Sequence, residues 1–157
     1  MAASTDADRA MIWTIRPATP ADATTLAEIY LHTRQQSFVW QSPADFLLTD
    51  FAAQTEGEEI WLAQDTQGGI AGFVSIWAPS HFIHMLYVQP AFHGQGIGSA
   101  LLTHLPGWAN RPWQLKCLIH NGRARRFYAN HGFIVTSQGQ SADGDFVLMV
   151  RPSFADD

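Results

Sequence analysis

The stretch Leu86-Tyr87-Val88-Gln89-Pro90-Ala91-Phe92-His93-Gly94-Gln95-Gly96-Ile97-Gly98-Ser99-Ala100-Leu101-Leu102 carries the densest information in this 157-residue chain. An apolar run from Phe82 to Val88 reads as a buried strand, and Pro90 stops it. Ile97, Leu101 and Leu105 then recur at i, i+4 and i+8 on one face of a helix, which Pro106-Gly107 ends. Between strand and helix stand three alternate glycines, 94, 96 and 98. The first N–H groups of a helix lack intrahelical partners, and the macrodipole adds partial positive charge to them. Glycines bare that backbone, so a phosphate can approach it closely. A pyrophosphate suits the loop best. The plainer alternative is a tight strand–helix turn that needs small residues for packing. A Walker loop is excluded because no Lys follows the glycines, and a dinucleotide fingerprint because the glycine spacing is wrong and no acid follows before Asp143.

Outward from this loop, Ile12 and Ile15 before Arg16-Pro17 read as a short strand, and Pro20 opens a helix carrying Leu26, Ile29 and Tyr30. Phe38 to Ser42 is a linker. Pro43 starts a second helix through Phe46, Leu47 and Phe51. Ile60–Gln64 and Ile70–Trp77 are strands joined by a Gly68-Gly69 turn. Pro79-Ser80 turns the chain into the Phe82–Val88 strand. Gln114–Ile119 is a strand, Asn121 caps another helix, and Gly132 closes it. Phe133–Thr136 and Phe146–Val150 form an antiparallel pair. The order is β-α-α-β-β-β-α-β-α-β-β. It predicts one α/β domain over residues 12–152, with a leader (1–11) and a tail (153–157).

The segment His93-Gly94-Gln95-Gly96-Ile97-Gly98 resembles the acyl-CoA signature of the GNAT superfamily of N-acetyltransferases, Q/R-x-x-G-x-G/A. A second block, Asn121-Gly122-Arg123-Ala124-Arg125-Arg126-Phe127-Tyr128-Ala129-Asn130-His131-Gly132-Phe133, is similar to the family's other motif, an Asn-capped helix with Ala, Phe-Tyr and Gly-Phe. Ile15-Arg16-Pro17-Ala18-Thr19 followed by Asp22 resembles the usual opening of these domains. The resemblance spans Trp13 to Arg151. It implies an α+β fold: a mostly antiparallel mixed sheet of six to seven strands, splayed after the fourth and flanked by four helices.

It also implies acetyl-CoA as cosubstrate. The expected cofactor-binding residues are Leu86, Tyr87, Val88, His93, Gly94, Gln95, Gly96, Ile97, Gly98, Ser99, Asn121, Ala124, Arg126 and Phe127. The loop amides would hold the pyrophosphate, while Leu86 and Val88 would offer backbone groups to the pantetheine arm. His93 departs from the usual Gln or Arg.

Acetyl transfer needs a neutral amine, a stabilised oxyanion and a proton for the departing thiolate. By the resemblance Tyr128 is the proton donor. Relatives often place a Glu base on the strand before the glycine loop, but residues 66–142 contain no acid at all. His84 is the best substitute, because it shares strand parity with Leu86 and Val88 and an imidazole suits a base at neutral pH. His81 and a water chain are alternatives. Phe38, Trp40, Trp77 and His81 are the acceptor-site candidates. The acceptor would be a small-molecule amine or an amino acid. A non-catalytic acyl-CoA sensor is the rival reading.

Charge is segregated. Residues 1–65 hold ten acids against three arginines, whereas residues 66–142 hold five cations and six histidines, so the glycine loop lies in an anion-friendly half. The net charge of −5 argues against general nucleic-acid binding. No stretch reaches membrane-span length. Cys117 stands alone, mid-strand, and reads as a buried structural thiol. The seven histidines show no H-E-x-x-H spacing. With no targeting segment recognisable, a cytoplasmic enzyme is expected, and a homodimer is compatible with the sequence.

Overall fold

The structure is a computed structural model describing residues 13–38 and 41–153. Trp40 and the expected leader lie outside the described residues. In chain order the elements are β1 (Thr14–Pro17), α1 (Ala23–Ser37), α2 (Asp50–Gln54), β2 (Glu59–Gln64), β3 (Ile70–Trp77), β4 (Phe82–Val88), α3 (Ile97–Thr103), β5 (Trp113–Leu118), α4 (Gly122–Asn130), β6 (Ile134–Ser141) and β7 (Gly144–Arg151). The strands form one sheet in the order β1-β2-β3-β4-β5-β7-β6. Every neighbour pairs antiparallel except β4 and β5.

That one parallel pair is in register only at Phe82↔Gln114 and Ile83↔Leu115. Past it, β5 stays bonded to β7 and β4 stays bonded to β3, so the two halves of the sheet part. This is the splay the resemblance implies. A core lies on each face. One gathers Ile97, Leu101, Leu102 and Leu105 against Val74, Ile76, Ile83, Trp113 and Leu115. The other seats Leu26, Ile29 and Tyr30 of α1 and Phe51 of α2 on Leu62, Phe73 and Met85. Each such buried side chain contributes about 1.5–3 kcal/mol.

Four expectations need correction. The helix from Pro43 is broken: a 3-10 turn at Pro43–Asp45 gives way to extended backbone at Phe46, and helix resumes only at Asp50. The break lets the Phe46 ring bury against Phe38 and the Arg34 guanidinium, a contact a continuous helix would aim elsewhere. The helix after the glycine loop stops at Thr103 rather than at Pro106, although Leu105 is still buried. The final hairpin is longer than the apolar pattern suggests, because both faces of β6 are exposed and its residues are largely polar. Strand parity on β4 also fails. The register slips between Ser75↔Met85 and Ile76↔Ile83, leaving His84 bulged, so it does not share the face of Leu86 and Val88.

The β1–α1 corner is pinned by charge. Arg16 on β1 donates through both terminal nitrogens to Asp22, at 2.9 and 3.0 Å, while the Thr19 N–H donates to Asp22 Oδ2 at 2.8 Å. These bonds hold the Asp22 carboxyl well below the usual carboxylate range. A depressed carboxylate stabilises the fold above its ordinary pKa, and that contribution is lost as pH falls toward the lowered value. Asp22→Ala is therefore expected to cost about 1–3 kcal/mol at pH 7, measured by urea unfolding. The difference from the parent protein should narrow below pH 3; an unchanged difference there would rule out the ionic contribution.

Candidate active site

The glycine loop joins β4 to α3 through a 3-10 turn at Pro90–Phe92. Gly94 and Gly96 take φ of +81° and +77°, values that strain any other L-residue. A Cβ built on either would meet nothing within 4 Å, so the space before the loop is open. The first helical bond runs from Ala100 N–H to Gly96 O at 3.0 Å, which leaves the amides of Ile97, Gly98 and Ser99 ahead of it without intrahelical partners. The Ile97 side chain is buried and anchors the turn to the core, while Gln95 is exposed.

The ladder between β3 and β4 fixes which main-chain groups face the splay. Gln89 N–H donates to Ala71 O at 2.8 Å. Bonded pairs alternate along an antiparallel ladder, so Tyr87 and Met85 also bond back to β3. Leu86 and Val88 consequently turn their N–H and C=O groups toward the opening. Tyr87 does not: its ring stacks on Phe73 and meets Tyr30 edge-on within the α1-side core. His93 uses its ring on the protein, donating Nε2–H to Val88 O at 2.9 Å. The carbonyl of Val88 is thus capped, and its N–H remains turned to the splay.

The second motif packs on the first. Asn121 Oδ1 accepts the Ala124 N–H at 3.1 Å, capping α4 as its sequence suggests. Gly132 follows at C′ with φ of +91°. Phe127 closes on the loop: a Cβ on Gly98 would lie 3.2 Å from the Phe127 ring, so Gly98 is small because α4 comes this close. Ala124 and Tyr128 border the same core. Arg126 is exposed on the outer surface and Arg125 is half-buried.

Tyr128 packs against the α3-side core next to Phe127. Its ring is edge-on to Phe127 and Phe133, and its hydroxyl lies within electrostatic reach of Cys117 on β5 and Tyr87 on β4. Burial pushes the Tyr128 hydroxyl well above the ordinary tyrosine value. Such a hydroxyl stays protonated at neutral and mildly alkaline pH, the form that donates. Burial also pushes the Cys117 thiol up to about 11, so it is not a thiolate at neutral pH.

On the α1 face the bulged His84 meets an acid that sequence reasoning missed. His84 Nδ1 lies 2.7 Å from Glu58 Oε2, with the Glu58 side chain 9% exposed and that of His84 35% exposed. Trp77 leans over this end of the sheet, its ring 3.2 Å from a Cβ built on Gly57. Tyr30 is edge-on to Tyr87 and feels the charges of Arg34, Asp50, Asp143 and Glu58. Burial raises its hydroxyl to about 12. Phe38 is half-buried at the end of α1, against Phe46. Gln41, from the loop between α1 and α2, donates to Asp143 on the β6–β7 turn at 3.3 Å. His81 is drawn away. It sits in the β3–β4 turn with φ of +49°, accepting from Arg111 at 3.2 Å and packing near Trp113. Among the described residues no group of three or more His, Cys, Asp or Glu comes together, and no helix is long and apolar enough to cross a membrane.

Comparison with known proteins bears on the family and the fold. A curated aminoglycoside N(6')-acetyltransferase type 1 of Stenotrophomonas maltophilia is 34% identical over 108 residues, covering 60% of this chain and 66% of that protein, just under two thirds of its length. A GCN5-related N-acetyltransferase from Rhodopseudomonas palustris superposes with a TM-score of 0.73 at 22% identity, over 90% of this chain and 97% of that one. The acetyltransferase yncA of Salmonella typhimurium, solved with its cofactor acetyl-CoA, gives 0.64 at 23% identity, over 89% and 93%. The family model described as the acetyltransferase (GNAT) domain matches residues 56–135, from the acidic run before β2 through the glycine loop to the start of β6, and the chain belongs to that family.

Proposed function

We propose that this protein is an acetyl-CoA-dependent N-acetyltransferase acting on a small-molecule amine. The observation that carries the reading is the splay: the β4–β5 ladder ends at Ile83↔Leu115, the glycine loop lies beyond the far end of β4, and α4 packs Phe127 on that loop with Tyr128 beside it. The residues fit the cosubstrate. Amides from Gly94 to Ser99 would hold the pyrophosphate, the open backbone of Leu86 and Val88 would hold the pantetheine arm, and Ala124 leaves room beside it. When bound, acetyl-CoA supplies an activated thioester carbonyl.

The chain's own groups then divide the work. His84 Nε2 takes a proton from the acceptor ammonium, directly or through a water, while Nδ1 faces Glu58. The Val88 N–H points into the opening and polarises the carbonyl. Tyr128 gives its proton to the departing sulfur, and its raised pKa keeps that proton available. Cys117 takes no part, because a buried thiol at about 11 offers too little thiolate for a covalent acyl-enzyme.

A cationic acceptor suits the acids near the α1 face, Glu58 and Asp143 among them. An amine carried on an aminoglycoside, the substrate named for the Stenotrophomonas relative, is a natural member of that class, and an amino acid is the alternative.

Calorimetric titration with acetyl-CoA, followed by thiol release against an amine panel, tests the proposal. Saturable binding with turnover is expected, whereas binding without turnover on any amine would favour a sensor. Tyr128→Phe should lower kcat by about a hundredfold with acetyl-CoA affinity unchanged. In the parent protein, no alkaline loss of activity should trace to Tyr128 until above the ordinary tyrosine range. Gly96→Ala forces a left-handed backbone on a β-carbon, which costs about 1–2 kcal/mol, and should weaken acetyl-CoA binding about tenfold in the same titration. Cys117→Ala should keep full activity, and intact-mass spectra of the parent protein should show no acetyl adduct during turnover.

A further inference from the structure

We propose that Glu58 is a positioning residue that sets the tautomer and charge of His84, making the pair a carboxylate–imidazole dyad on the acceptor side of the sheet. This rests on the proposed role of His84 as base. Three observations carry it. The contact is close, 2.7 Å from Nδ1 to Oε2. The acid is buried, and its second oxygen, Oε1, makes no hydrogen bond among the described residues. A buried carboxylate with one oxygen unsatisfied is costly, which is tolerated where the group has a task. Finally, the contact depends on the bulge. β2 and β4 are not neighbours, since β3 runs between them. Only the extra residue in β4 turns the imidazole to the face on which Glu58 lies.

The chemical consequence follows from the two ring nitrogens. A carboxylate accepts but does not donate, so the neutral imidazole places its proton on Nδ1. Nε2 then carries the lone pair, and the partly exposed ring offers it to an incoming ammonium. Once Nε2 is protonated, the adjacent carboxylate stabilises the imidazolium. Other charged or titratable groups near this face are Tyr30 and Arg34 of α1, Asp50 of α2, Tyr87 of β4 and Asp143 of the β6–β7 turn. Arg34 is paired with Asp50 at 3.1 Å, and both tyrosine hydroxyls are held above their ordinary value, so neither tyrosine ionises near neutrality.

The test compares the parent protein with Glu58→Gln, an isosteric change that keeps an acceptor oxygen but removes the charge. Imidazole ¹⁵N spectra, assigned with His84→Ala, are recorded across pH with no substrate present, and kcat/KM for the amine is measured across the same range. In the parent protein the neutral His84 should be protonated at Nδ1. In Glu58→Gln, whose amide can donate as well as accept, that Nδ1 preference should weaken and kcat for the amine should fall about tenfold, leaving KM for acetyl-CoA unchanged. Glu58→Ala, if folded, should also lose the tautomer preference and about tenfold or more in kcat. An unchanged ¹⁵N tautomer signature in both Glu58 variants would overturn the dyad whatever His84 does in the reaction. A changed tautomer with an unchanged kcat would overturn the positioning role of Glu58. Full activity of His84→Ala would instead show that the base assignment itself is at fault.

Discussion

The whole arrangement depends on β4 being hydrogen-bonded along one edge and free along most of the other. Backbone donors and acceptors must be satisfied somewhere, and a central strand ordinarily spends both edges on its neighbours. Here β5 is claimed by β7 over its full length, from Trp113↔Arg151 to Leu118↔Phe146, and follows that partner away after two residues beside β4. The main-chain groups of Leu86 and Val88 are left facing the gap between β4 and β5. The protein meets part of the cost locally, through the His93 ring on Val88 O. The remainder is an unfinished strand edge, and an amide-bearing chain can complete it.

Everything at the site is placed relative to that edge. The glycine loop follows directly from its end, so its bared amides lie in line with the strand. α4 is held against the loop by Phe127 on Gly98, and the same helix carries Tyr128 one residue later, edge-on to Phe127 and Phe133. On the opposite face the bulge turns His84 toward Glu58. The strand thus has the open glycine loop at one end and the His84–Glu58 pair nearer the other.

The sequence is divided by charge in the same order. Asp50 and Glu58 come before β2 in the acidic stretch, and the glycine loop and the arginines of α4 belong to the carboxylate-free stretch 66–142. Arg34 is an instructive exception. It is buried between Tyr30 and Phe46 and paired with Asp50, so its charge supports the α1–α2 connection rather than a ligand.

Much of this was legible from residues alone. Glycines at 94, 96 and 98 between an apolar run and an amphipathic repeat fix a strand, a bared turn and a helix, because each choice is local. Asn121 as cap and Gly132 as terminator are local for the same reason. What the sequence could not determine is anything requiring a count of residues across neighbouring strands. The bulge opposite Ile76 reverses the parity read for His84, and no residue near position 84 announces it. Glu58 escaped notice because it lies 26 positions away, in an acidic run that looks like ordinary surface, and reaches His84 only across β3. The helix expected from Pro43 failed likewise, since burying Phe46 beneath Arg34 is a tertiary contact that outweighs local helical preference. Short-range backbone chemistry is written in consecutive residues; which side chains meet across a sheet depends on registers that only the assembled ladder sets.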